Sequence, residues 1–148
     1  MMQKNINYYE KFRNSSLDTS AVGLTVGSEF SYFGATPVGA KVIAWADVYG
    51  IHFCQKEDGD AVYVVEPDSD AEAVHKVARN FPEILGLIIA CSHASVLWQV
   101  HEMTRKEFDA YIQSNKPSMK QRSVLRAISN IYHPPVVADP YSYLKNLK

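Results

Sequence analysis

The chain changes its pattern at Arg79, and that switch limits its possible folds more than any other feature. Before it stand "VGAKVIAWA" (Val38 to Ala46), "YGIHFCQK" (Tyr49 to Lys56) and "AVYVVEP" (Ala61 to Pro67), all short and rich in β-branched and aromatic residues. The turn-forming stretches "WADVYG" and "KEDGDA" join them, as in an antiparallel meander, and Val74 to Ala78 is a fourth candidate strand. After Arg79 the apolar residues recur at helical spacing. Strands first and helices later predict an α+β fold: an antiparallel sheet of about four to six strands packed against a C-terminal set of helices. A parallel α/β fold would alternate the two.

The helix entries are written into the sequence. In "NFPE", Asn80 stands as N-cap, Pro82 falls in the first turn and Glu83 takes the capping-box position. The run that follows, through Ile84, Leu85, Leu87, Ile88 and Ile89, is apolar nearly all round and so must be covered on both sides. "TRKE" from Thr104 and "SMKQ" from Ser118 predict two further capped helices, and Asp139–Pro140 opens a last short one. Upstream, Ile6, Tyr9 and Phe12 share helical spacing, so a helix is expected from Gln3 to Asn14. The Ser/Thr/Gly-rich stretch beyond it reads as loop, with an edge strand near Leu24 to Val26 or Phe30 to Phe33.

A length of 148 residues suits one domain, 1–148, large enough to bury a core without disulfide staples. With 47% hydrophobic and 21% charged residues, the chain falls in the globular class rather than the disordered one. "MMQKNINYYEKFRN" lacks the apolar segment of a secretory signal, and the longest apolar run, Ile84 to Cys91, is far short of a membrane span. Only two cysteines occur, far apart, so a reducing cytoplasm is expected.

Those cysteines each stand two residues from a histidine, His52 with Cys54 and Cys91 with His93, in mirrored order. On a strand, residues two apart share a face, so His52 and Cys54 point together; on a helix Cys91 and His93 diverge unless the helix ends between them. A zinc site needs four convergent ligands, commonly at C-x2-C spacing, which this is not. A thiol nucleophile needs an exposed cysteine beside a base, for which Cys54 with His52 or His75 is the nearest set. The expectation is that all four pack as interior residues, with no metal, no cofactor and no catalytic centre. His75, His101 and His133 read as isolated surface or half-buried rings. No G-x-G-x-x-G, P-loop or H-E-x-x-H motif occurs, and "EDGD" and "EPDSDAE" lack the periodic ligands of a calcium loop.

The net charge of −1 conceals an uneven distribution. From Ile51 to Val100 eight acids face three bases, and from His101 onward eight bases face four acids. The bases are spread over several helical turns rather than gathered with aromatics on one surface, which argues against nucleic acid as a partner. The acids concentrate in two turns, giving Asp58, Asp60, Asp68, Asp70 and Glu72 as a candidate contact surface, with Tyr49 and Tyr32 as aromatic anchors.

"VYVVEP", "VHKVARNF" and the helix entry Asn80, Phe81, Glu83, Leu85 together resemble the strand, acidic turn, strand and helix segment of the SUKH superfamily. That superfamily includes the yeast cell-wall synthesis regulator and many bacterial immunity-type proteins. The resemblance covers about a third of the chain, and nearly half if "VIAWADVYGIHFCQ" is counted. It implies a SUKH-like α+β domain without a catalytic constellation, used to bind protein partners, in some relatives a toxin whose working surface is masked. Two other readings stand beside it: a small-molecule binder or enzyme using His52, Cys54 and His75, and a structural or regulatory module that acts as an oligomer.

Overall fold

A computed structural model describes residues 2–26, 36–46, 49–57, 59–68 and 73–147, with side chains of the first helix from Tyr8 onward. It has the α+β architecture: a five-stranded antiparallel sheet and, among the described residues, six α-helices. The strands are β1 (Thr25–Val26), β2 (Ala40–Trp45), β3 (His52–Lys56), β4 (Val62–Val65) and β5 (Val74–Ala78). They lie side by side in chain order, each paired with its neighbour in sequence. Of the two edge-strand positions left open by the sequence, Leu24 to Val26 supplies β1; the other lies outside the described residues.

Side chains of paired residues share a face, so the register sorts the sheet. Ala44, Phe53, Val64 and His75 form one rung, and its apolar members join the main core with the helices. Trp45, His52, Val65 and Val74 form the next rung and project from the other face, as do Val42, Cys54, Tyr63 and Lys76. Val42, His52, Cys54 and Val65 are buried there, away from the main core cluster. Register shifts at Val42/Ala44 and Val62/Tyr63 insert Ile43 and Val77 as extra residues, and both are buried in the helix-side core.

The helices are α1 (Met2–Arg13), α2 (Phe81–Cys91), α3 (Val96–Gln99), α4 (Arg105–Ser114), α5 (Met119–Tyr132) and α6 (Pro140–Asn146). Helix α2 is the apolar run, and its first eight residues are all buried. Coverage comes from β5 on one side and from α1, α5 and α6 around it, which is what a helix lacking a polar face requires. None of the described helices alone is long and apolar enough to cross a membrane. Tyr9, Phe12 and Phe81 meet edge to face at 4.9 and 5.5 Å, and the Tyr9 hydroxyl donates to the Ile43 carbonyl at 2.6 Å, fastening α1 to the sheet.

The capping boxes at Thr104–Glu107 and Ser118–Gln121 are both formed. At Asn80 only half of one forms: the Asn80 side chain accepts from the Glu83 N–H at 3.0 Å, while the Glu83 carboxylate turns to Arg79 and Tyr143. A charged guanidinium outcompetes a neutral backbone N–H for that carboxylate. The segment after α2, which carried no helical prediction, folds as α3 and a 3-10 turn, Val100–Glu102.

Candidate functional site

His52 is fully buried beside Trp45, with ring centroids 4.8 Å apart. Its Nδ1–H donates to the Gly50 carbonyl at 2.8 Å, so Nε2, 2.8 Å from the Thr36 hydroxyl, accepts. Burial lowers its pKa, with the Gly50 carbonyl opposing, and favours the neutral ring. Cys54 shares that sheet face, as the two-residue spacing predicted, but burial lifts its thiol to about 11 against the pull of Lys56. Cys91 lies across the sheet in the helix-side core, its thiol lifted by burial to about 12. His93 accepts the Ser95 N–H on Nδ1 at 3.0 Å and packs over Gly23, where a Cβ would come within 2.3 Å of the ring. His75 faces the helices, opposite His52 and Cys54, so the strand-face set His52, Cys54, His75 is not brought together. Among the described residues no three His, Cys, Asp or Glu side chains are placed to hold a metal ion.

The meander also divides the acidic turns. Successive turns of an antiparallel meander fall at opposite ends of the sheet, so Asp60, between β3 and β4, is a strand length from Asp68, between β4 and β5. Tyr49, between β2 and β3, shares the Asp68 end. Asp58, Asp70, Glu72 and Tyr32 lie outside the described residues. Tyr49 is 79% exposed and holds φ at +50°, a left-handed conformation that a tyrosine rarely adopts.

Two groups that looked isolated in the sequence meet at this same end. His75 on β5 and His101 in the 3-10 turn stack face to face, with centroids 3.7 Å apart and planes inclined by 18°. The Nε2 of His101 is buried and has no hydrogen-bond partner among the described residues. Burial, followed by the positive fields of His75 and Lys145, pushes His101 down to about 4. Glu66 beside them has its carboxyl pKa raised by burial and by Glu102, with His75 pulling the other way. Lys145 of α6 donates to the His101 carbonyl at 3.2 Å. Sequence separation hid this cluster, because nothing local links residues 66, 75 and 101.

A groove of about 650 Å³, open to solvent, lies beside α6. Arg79 and Glu83 line one wall, residues 135–138 the other, and Tyr143 and Leu147 of α6 also contribute. Three of its polar residues, Arg79, Glu83 and Tyr143, form a closed ring. The Arg79 backbone N–H donates to the Tyr143 hydroxyl at 3.2 Å, that hydroxyl donates to Glu83 Oε1, and Arg79 Nε–H donates to the same oxygen at 3.0 Å. Burial, then the bond to Glu83, raises the Tyr143 phenol to about 12. The 135–138 wall is seated by Gly86 in the middle of α2: a Cβ there would lie 2.2 Å from the Pro135 carbonyl oxygen. A glycine inside a helix is worth about 1 kcal/mol less than alanine, so this close approach is the reason for one.

The chain finds no match among family models, among curated proteins or among solved structures.

Proposed function

We propose that this chain acts by binding another protein and not by catalysis, as a SUKH-type domain of the immunity class working in a reducing cytoplasm. The observation that carries the reading is Tyr49: a large aromatic ring held out in water on a strained turn. Strain retained at an exposed position is a mark of use rather than of packing, and aromatic rings are the commonest anchors of protein interfaces. Exposed Asp68 and Glu102 and half-buried Glu66 flank the same end of the sheet, giving it a negative rim suited to a basic partner surface. The two thiols, raised by burial and lying on opposite sides of the sheet, fit a molecule that works through its contours.

The test is photo-crosslinking in the native host with p-benzoylphenylalanine at position 49. One discrete protein adduct is expected, weakened by salt and by Asp68→Lys. Absence of an adduct at position 49, with the same label at exposed Met119 as the comparison, would remove the reading.

A further inference from the structure

A buried histidine holds the turn that presents Tyr49, and its role rests on the reading of Tyr49 as an anchor. Tyr49 and Gly50 are consecutive left-handed residues, at φ +50° and +72°, in the connection between β2 and β3. Glycine takes that conformation freely, but a tyrosine keeps it only where its surroundings leave no alternative. Two hydrogen bonds supply the constraint. The Ala46 N–H donates to the Ile51 carbonyl at 3.0 Å and closes the loop at its base. His52 Nδ1–H donates to the Gly50 carbonyl at 2.8 Å and fixes the peptide unit that follows the two left-handed residues. The ring is itself immobilised: it is fully buried, the Trp45 ring lies 4.8 Å away, and its Nε2 is 2.8 Å from the Thr36 hydroxyl. Packing alone does not call for a histidine there. Val42, Cys54 and Val65 are also buried on that face of the sheet, and an apolar side chain would join them without the cost of desolvating two ring nitrogens.

We infer that His52 is the positioning residue of the Tyr49 turn: its Nδ1–H bond to the Gly50 carbonyl sets the backbone that holds the Tyr49 ring out toward a protein partner. The bond needs one tautomer and one ring position. Nδ1 is attached to Cγ, as is the side-chain amide nitrogen of asparagine, whereas Nε2 lies one bond farther out, where glutamine carries its amide. His52→Asn therefore keeps a donor for Gly50 and gives up Thr36, while His52→Gln keeps a group for Thr36 and gives up Gly50. Glutamine fills more of the volume of the ring, so a role in packing alone would favour it. Positioning favours asparagine.

The test is NMR on the ¹⁵N-labelled full chain at neutral pH, followed by crosslinking. In the parent, the ring nitrogens of His52 should show the neutral Nδ1–H tautomer, and the Tyr49 and Gly50 amides should have the order parameters of rigid backbone, about 0.85. His52→Asn should retain that rigidity, while His52→Gln lets both amides fall toward about 0.6. With p-benzoylphenylalanine at position 49, the Gln variant should give several-fold less partner adduct than the Asn variant, although it is the better filled of the two. The proposal is overturned if His52 carries its proton on Nε2, if the turn is as rigid in the Gln variant as in the parent, or if the Asn variant loosens it as much as the Gln variant does. The tautomer is read on the parent, so a variant that fails to fold leaves that arm decisive. Tautomer and rigidity are both read without a partner, so a parent that forms no adduct removes the anchor reading while these measurements still judge His52.

Discussion

Lowering the pH should destabilise the fold through His101. Its pKa falls from 6.5 in the open chain to about 4 in the folded one, chiefly because burial disfavours the cation and then because His75 and Lys145 repel it. The unfolded state therefore binds the proton more readily, so stability is fully present above about pH 6.5 and is lost as pH falls toward 4. At about 1.4 kcal/mol per pH unit the ceiling is roughly 3 kcal/mol. The ring is only half-buried, and solvent screening reduces this to about 1–2 kcal/mol. Glu66 works in the opposite sense, since its raised carboxyl pKa favours the folded state as pH falls, whereas His52 and His93, both lowered, add to the loss. His101→Phe separates the terms: it keeps a ring against His75 and removes both the titration and the orphaned nitrogen. Urea midpoints measured from pH 7.5 to 4.5 should show the parent losing about 1–2 kcal/mol more than the variant. Superimposable pH profiles, or a His101 ring signal titrating near 6.5, would refute the reasoning.

Gly86→Ala should lower stability by about 1–2 kcal/mol in urea melts, because the clash with the Pro135 carbonyl exceeds the gain in helix propensity; a higher midpoint would show that the wall can retreat. Tyr49→Gly should leave stability unchanged or raise it by up to about 1 kcal/mol, since glycine accepts a φ of +50° without strain, while it removes the anchor for crosslinked partners. Iodoacetamide near pH 8 should leave both cysteines unmodified until denaturant is added, given thiols at about 11 and 12 behind full burial; prompt labelling of either would contradict their placement.

What could be read from the chain depended on whether the physics was local. β-branched runs and turn residues marked β2 to β5 to within a few residues, and the caps at Thr104 and Ser118 worked because a capping box spans only four positions. Glu83 failed at the same task because its competing partners, Arg79 and Tyr143, come together only after folding. The bulges that send Ile43 and Val77 inward leave no signal in an apolar run. Tyr49 could be picked out as an aromatic beside a turn glycine, but its left-handed backbone could not. The acidic turns looked like one surface because they are close in sequence, whereas a meander sends consecutive turns to opposite ends. The stacked imidazoles and the seat of Pro135 on Gly86 join residues far apart in the chain, and composition carries no trace of either.

Pairing every strand with its sequence neighbour has a consequence for how the molecule comes into being. The ladders from Ala40 to Ala78 close over short loops, so the hairpins can zip together as the polypeptide leaves the ribosome. Residues that precede the sheet must wait longer: the Tyr8 hydroxyl reaches the Tyr132 carbonyl, and the Ala21 carbonyl is met by Gln121. A nascent chain thus carries a zipped sheet whose helix-side apolar face stays uncovered until the late helices arrive.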